Sequence, residues 1–309
     1  MITKKHLDDI ISQYNVGYLK KYFKVWDKHT INNNIIIETS KGKYLFKLFT
    51  SKKYKDLVFY ADILHYLRKN GFPCREVIAD KDDNEIVQYG SGYGMLFIYI
   101  DGQRKAKLSF TDLMSMGDIV AQFHLVSSKY NSNLVKYPNS LEGLLDLCES
   151  LAKESRDNKS LSLVSYLKEQ SKIKEDFSKN LPKGIVHGDL HKGHFLFKEG
   201  EIVGLLDFEY ASHDFFINDV GTLVAYNCIL DSKLSEKKLQ VIISAYKNKK
   251  GINILEEESI PLAIVYATVK LTTWALCDFL KKPNEFHVEV LEKRVTSLKY
   301  LKEAFTQTF

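Results

Sequence analysis

Cysteine is scarce and scattered in this chain. Cys74, Cys148, Cys228 and Cys277 are the only four, and no two form a CxxC pair. That usage excludes a disulfide framework and suits reduced core thiols in a cytoplasmic protein. Apolar runs are also short: by eye none reaches the length of a bilayer span. The opening MITKKHLDDIISQY alternates charged and apolar residues at helical spacing, unlike a secretory signal. Internal repeats and low-complexity linkers are missing as well. Neither sign of charge dominates, since 44 basic against 39 acidic residues leave a net +5. The lysines are scattered over amphipathic segments, which reads as solvated surface and not as a nucleic-acid patch. What remains is an ordinary globular composition, 45% hydrophobic and 27% charged over 309 residues. That is enough for one large domain or two lobes with a sizeable core.

The first third mixes α and β signals. Residues 4–15 suit a short helix. NNIIIETS and KYLFKLF are β-rich runs joined by KGK, a tight-hairpin signal around Gly42. In YKDLVFYADILHYLRKNG, the residues Leu57, Tyr60, Ala61, Leu64 and Leu67 recur at helical spacing. Gly71 is placed to end that helix, and Pro73 prevents its continuation. EIVQY and YGMLFIYI are strand-like, the second ending at Asp101-Gly102.

Beyond Gly102 the character changes. SFTDLMSMGDIVAQFHLVSSKY opens with Ser109 or Thr111 as the N-cap of a long amphipathic helix. Helical patterns continue at about 140–155 and 160–178, give way to strands at 184–207, and resume from about 215. The expected fold class is α+β, with a small β-rich lobe over 1–101 and a larger, mainly helical lobe over 102–309.

The densest chemistry lies in GIVHGDLHKGHFLFKEGEIVGLLDFEY, residues 184–210. GIV reads as a short buried strand, HGDLHKG as a polar loop, and HFLF and EIVGLLDF as a hairpin around KEGE. Asp189 then sits in the loop and Asp207 at the end of the second hairpin strand. Three readings compete. Paired carboxylates suit phosphoryl transfer, one orienting or deprotonating the attacking hydroxyl and the other holding metal. His187, Asp189, His191 and His194 instead suit a metal-dependent hydrolase, if His124 or His213 supplies further ligands. A purely structural reading makes the histidines braces of a tight loop, and for His191 alone that is the preferred one.

The same residues carry a specific resemblance. HGDLHKGHFLF followed by GLLDFEYA and NDVGTL is similar to the Brenner-type motif of the aminoglycoside phosphotransferase and choline kinase superfamily. DLVFYADILHYLRKNGFPC and DFEYASHDFFINDVGTLVAYNC resemble its homoserine kinase-like branch. Similarity of some kind extends over about residues 5–305. The resemblance implies a bilobal protein-kinase-like fold and an ATP-dependent small-molecule kinase. It further implies Lys47 as the ligand of the α- and β-phosphates and backbone groups of Ile98 and Ile100 for adenine. Asp189 becomes the catalytic residue, and Asp207 with His194 the holders of Mg²⁺ or, alternatively, Mn²⁺. His187 braces the loop or meets substrate, and Glu209 and Asp214 face the substrate.

Four positions depart from the family pattern. His194 stands where Asn is usual, and imidazole suits manganese, zinc or iron better than magnesium. The helix after the lysine strand has no glutamate, which leaves Asp62 to orient Lys47. The phosphate-covering loop falls in KVWDKHTINNN, which lacks glycine and relies on Thr30 or Asn32. Glu209 follows Asp207-Phe208 where protein kinases have glycine. These departures keep a non-catalytic nucleotide-binding protein as the competing class. Glu209, Asp214, Asp219, Asp278 and Glu285 are candidate acids for an amine-bearing acceptor, and Phe215, Phe216, Tyr226 and Trp274 form a wall or simply core. The acceptor classes are an amino alcohol or amino acid such as homoserine, a sugar, or an aminoglycoside. Expected partners are ATP and that hydroxyl substrate, without nucleic acid or membrane, for a cytoplasmic monomer or homodimer.

Overall fold

The computed structural model describes residues 3–25, 33–50, 52–134 and 141–305. The phosphate-covering segment with Thr30 and Asn32 therefore lies outside the described residues. The chain forms two compact units: Met1–Arg104, Asn131–Lys136 and Phe195–Glu209 make the first, and Lys105–Tyr130, Tyr137–His194 and Tyr210–Phe309 the second.

In the first unit, α1 (Lys4–Ser12) precedes strands β1 (Leu19–Val25), β2 (Asn33–Thr39) and β3 (Lys43–Phe49). Helix α2 (Tyr54–Lys69) and strands β4 (Val77–Ile78), β5 (Val87–Tyr89) and β6 (Gly92–Ile98) follow. The strands pair in the order β1-β2-β3-β6-β4, all antiparallel, with β5 also on β6. Side chains alternate between the faces of a strand. Phe46 and Leu48 accordingly enter one core with Leu7, Ile10 and Ile11 of α1. Lys47, between them, faces the other side, as does Phe49, whose ring meets Tyr60 of α2 edge-on at 6.1 Å. Helix α2 buries Leu57, Tyr60, Ala61, Leu64 and Leu67, the residues whose spacing predicts it. Each such burial contributes roughly 1.5–3 kcal/mol for a large apolar side chain. It ends in a Schellman arrangement, Phe72 N–H donating to Leu67 O at 2.9 Å and Gly71 N–H to Arg68 O at 3.0 Å.

The hairpin of β7-to-β9 numbering belongs partly here. Strand β7 (Lys183–Val186) lies in the second unit, whereas β8 (Phe195–Lys198) and β9 (Glu201–Leu205) lie in the first. The division expected at residue 101 puts that hairpin in the large lobe. Its backbone is instead tied to the first unit by a Gln103–Phe197 bridge and by Leu205 N–H donating to Pro73 O at 2.9 Å. Its two-residue turn, Glu199-Gly200, has φ of 53° and 90°, which matches the twist of the flanking strands.

The second unit contains α3 (Phe110–Ser127), α4 (Leu141–Glu154) and α5 (Asn158–Ser171), then β7, β10 (Ser212–Phe215) and α6 (Phe216–Asn227). A small hairpin, β11 (Ile229–Leu230) and β12 (Lys233–Leu234), leads to α7 (Glu236–Lys250), α8 (Ile254–Glu258), α9 (Ile260–Lys281) and α10 (Glu285–Phe305). Of the two predicted caps, Ser109 starts α3, in a capping box with Asp112. Helix α9 corrects one expectation. It is long and apolar enough to cross a membrane by length and composition, with a mean hydropathy of 1.5 over its apolar window. That window is 83% buried inside the protein, so its apolar surface is spent on the core of this unit.

Candidate active site

In the first unit, charged side chains from four separate segments converge. Lys47 is only 2% exposed. Its ammonium donates to Asp207 Oδ1 at 2.8 Å and also ion-pairs with Glu209. Arg75 reaches the same Oδ1 at 3.2 Å, and Lys52 approaches Glu209 at 3.8 Å. Three cations against two carboxylates leave the cluster one positive charge in excess. Partly buried excess positive charge suits an anionic ligand such as a polyphosphate. Asp207 adopts a left-handed φ of 63°, a strained conformation for a non-glycine residue, at the point where β9 ends. Tyr60 buries its hydroxyl beside this cluster without a hydrogen-bond partner among the described residues. Burial, and then the Asp207 charge, push that phenol well above its ordinary range.

The carboxylate that flanks Lys47 besides Asp207 is thus Glu209, not the expected Asp62, which sits half-buried on α2. The physical reason is reach: Glu209 follows Asp207 through a single turn, Phe208–Tyr210, and arrives with it. Glu209, expected to face substrate, is engaged with two lysines. Ile98 ends β6 with its N–H donated to Glu76 O at 3.0 Å, and Tyr99 N–H goes to Lys43 O at 3.2 Å. Among the described residues, Ile100 N–H donates to no backbone carbonyl. Arg75 was not singled out by sequence reasoning. It follows Pro73-Cys74 in a loop with no periodicity to mark it.

In the second unit, the loop after β7 is held from beneath by one carboxylate. Asp219, in the first turn of α6, accepts from His187 N–H at 2.6 Å, Gly188 N–H at 2.8 Å and His124 Nε2 at 3.0 Å. His124 Nδ1 meets the Tyr246 hydroxyl at 2.7 Å. Burial pushes the His124 imidazole down, against the pull of Asp219. Burial alone would raise the Asp219 carboxyl, but the His124 hydrogen bond and the neighbouring imidazole charges outweigh it and hold the group below its ordinary value. His124 bridges the two groups, its Nε2 on the Asp219 carboxylate and its Nδ1 on the Tyr246 hydroxyl. With both ring nitrogens engaged, His124 supplies no ligand to a metal site, which removes one support of the hydrolase reading. Asp219 is likewise committed to the loop and withdrawn from the acids that would meet an amine.

Above that base the loop is tightly specified. Gly188 has φ 80°, and a Cβ there would lie 2.8 Å from Tyr210 O, so only glycine fits. His187 is fully buried, and its Nδ1 accepts from Asp189 N–H at 3.2 Å, the geometry of a brace. His194 donates from Nδ1 to Asp189 O at 2.7 Å, and Asn227 Nδ2 donates to Leu190 O at 3.0 Å. Tyr226 lies beside the Asp189 carboxylate. Burial, then the Asp189 charge, raise that phenol well above its ordinary range, while Arg294, stacked 5.2 Å over the ring, pulls the other way. Asp214 lies on β10, its Oδ1 accepting from Phe215 N–H at 2.8 Å. A cavity of about 510 Å³ among α1, β1 and Lys81 is lined by none of the predicted site residues.

These two clusters contain Lys47, Asp207 and Glu209 on one side and His187, Asp189 and His194 on the other, whereas Asp62 and Asp214 lie outside them. Residues 26–241 match the phosphotransferase enzyme family. The chain belongs to that family. It is 24% identical over 289 residues to the homoserine kinase of Rhodopseudomonas palustris, covering 92% of this chain and 87% of that one. Among solved structures, an amicoumacin kinase superposes with a TM-score of 0.78 at 15% identity, over 96% of this chain and 94% of its own. A microcompartment-associated aminopropanol kinase gives 0.74 at 13% identity, over 99% and 98%. The chain is therefore an ATP-dependent small-molecule kinase that transfers phosphate to a hydroxyl group, with the α+β kinase-like fold expected. Kinases of this family use ATP and usually a divalent metal.

Proposed function

We propose that this kinase phosphorylates the hydroxyl of an amino alcohol or hydroxy amino acid, homoserine foremost. The observation that carries the reading is the loop geometry: Asp189 is presented by a segment whose backbone Asp219 pins at two consecutive N–H groups. Such a carboxylate is positioned in advance to orient a hydroxyl and take its proton. The relatives act on homoserine and aminopropanol, which each pair a hydroxyl with an amine. Asp214, on β10, is the carboxylate assigned to that amine.

The remaining roles follow from the two clusters. Lys47 holds the ATP phosphates, with Arg75 beside it, and Glu209 orients Lys47 in place of Asp62. The Ile100 N–H, with the backbone of Ile98, takes the adenine. His187 braces the loop. Asp207 and His194 hold the divalent metal. Taken singly, Asp207 offers a carboxylate, and His194, with its proton on Nδ1, offers the Nε2 lone pair. One carboxylate and one imidazole suit Mn²⁺ better than Mg²⁺. When bound, the cation would neutralise charge developing on the phosphates. Residues 1–101 with the hairpin at 195–209 form the nucleotide-binding lobe and the rest of 102–309 the substrate lobe in this reading. The four free, buried thiols support a cytoplasmic location, as monomer or homodimer.

The test is ATP consumption with Mg²⁺ and with Mn²⁺ across hydroxy amino acids, amino alcohols, sugars and aminoglycosides. Turnover with the first two groups, abolished by Asp189→Ala, is the expected result. Turnover confined to sugars or aminoglycosides overturns the acceptor assignment. An absence of nucleotide binding by calorimetry with either metal overturns the assigned nucleotide residues.

A further inference from the structure

Asp189, His191 and His194 come from one six-residue stretch, DLHKGH, and fold into a compact set of donors. Asp189 Oδ2 is 3.9 Å from His191 Nε2, and one donor atom from each residue lies within 4.8 Å of the others. The two rings are 3.7 Å apart between centroids. Metal bonds of about 2.0–2.1 Å in a tetrahedral site separate ligand atoms by roughly 3.4 Å. Donor atoms up to 4.8 Å apart must therefore close by as much as about 1.4 Å to hold a cation.

The hydrogen bonds around the set favour the same outcome. His194 gives its Nδ1 proton to Asp189 O at 2.7 Å, which fixes the tautomer with Nε2 as the lone-pair donor and locks the ring. Metal-ligating histidines are commonly held by such a bond from the other nitrogen. The His191 side chain is 38% exposed and opens a route for the ion. Its Nδ1 accepts from Gly193 N–H at 3.0 Å, which holds the ring in place. Two imidazoles and one carboxylate are the donor set of zinc and of late first-row divalent ions, not of magnesium or calcium.

We propose that Asp189, His191 and His194 form a binding site for a zinc-class divalent cation, and that its occupancy switches the kinase off. The inhibition rests on the role assigned to Asp189 above, because a cation on that carboxylate removes the group that orients the acceptor hydroxyl. The binding itself does not rest on it. The charge on the bound ion also deprives Asp189 of its capacity to accept a proton.

Calorimetry of nucleotide-free protein with Zn²⁺ alone, and visible absorption with Co²⁺ alone, test the site. One ion per chain and tetrahedral Co²⁺ bands are expected. His191→Ala and His194→Ala should each weaken binding by roughly tenfold or more, since even the loss of an outer-shell partner has that effect. In the activity assay with Mg²⁺ or Mn²⁺, zinc should suppress turnover and a chelator should restore it. His191→Ala should retain turnover and need roughly ten times more zinc for the same suppression. Zinc binding unchanged in both histidine variants, or absent in the wild type, overturns the site while leaving the kinase reading intact. Stoichiometric zinc that leaves turnover unaffected overturns the switch. Stoichiometric zinc lost in both variants supports the site even where the acceptor assignment fails.

Discussion

The two charged clusters of this kinase are built in opposite ways. Around Lys47, four segments contribute side chains over sequence separations of 160 residues to Asp207 and 132 from Arg75 to Asp207. Around Asp189, a single loop supplies the polar groups, and one distant carboxylate, Asp219, fastens it. The first cluster is a balance of charges, with a surplus that an anion can satisfy. The second is a backbone shape, held so that one carboxylate points in a defined direction. Perturbing the first should change ligand affinity, and perturbing the second should change turnover or folding.

The sharpest break of this contrast is Asp189→Ala. Loss of a positioned general base should lower turnover on the order of 10²- to 10⁴-fold, with nucleotide affinity by calorimetry nearly unchanged. Asp219→Ala should come next. It strands two loop N–H groups and the His124 ring in a buried site, at a cost of about 3–5 kcal/mol, read as a lower denaturation midpoint together with lost turnover. Glu209→Gln should act on the first cluster alone. Removing one charged partner of Lys47, at about 1.5–3 kcal/mol, should raise the ATP KM on the order of tenfold to a hundredfold. Asp62→Asn should leave that KM within about twofold, as expected of a substitution outside the site. Equal effects from the two substitutions would return the pairing role to the helix.

A pH series separates the clusters further. His124 has its imidazole pushed below the ordinary 6.5 by burial, and a lowered histidine binds its proton more readily when unfolded. Its contribution to stability is thus full above 6.5 and is lost as pH falls from 6.5 toward the folded value. Asp219, also lowered in the fold, contributes above the ordinary 3.8 and loses that contribution as pH falls further. Thermal denaturation should show both losses on acidification, and the upper one should vanish in His124→Gln. The smallest effect belongs to His194→Asn, which should move metal preference from Mn²⁺ toward Mg²⁺ by a few-fold. An unchanged ratio of turnover with the two metals would count against direct ligation by His194.

Much of the local structure was legible before any coordinates. The Gly42 hairpin, the α2 periodicity, the Ser109 cap and the KEGE turn each depend on residues a few positions apart, and each formed as expected. The HGDLHKGH loop was legible for the same reason. The partners were less so. Asp62 looked like the acid for Lys47 because helix position is readable, whereas the approach of Glu209 depends on where a whole hairpin docks. Arg75 lies in an aperiodic loop and carries no local mark. His124 looked like a spare metal ligand, because the Asp219 and Tyr246 groups that occupy its ring come from α6 and α7. Helix α9 passed unnoticed as an apolar stretch, since threonines and a lysine interrupt it. Its threonines return their hydroxyls to carbonyls one turn back, as Thr268 does to Ile264 O at 2.8 Å, which lets them be buried.

What the amino-acid order determined by itself was the family, the element types and the place of the HGDLHKGH loop, because periodicity, turn chemistry and motif spacing act over short stretches of backbone. What only the tertiary structure decided was which charges meet: Glu209 and Arg75 around Lys47 and Asp207, Asp219 beneath His187 and Gly188, and the closeness of Asp189, His191 and His194. Electrostatic pairing falls off steeply with distance and is strengthened by burial. Both quantities are set by the packed fold and not by position along the chain.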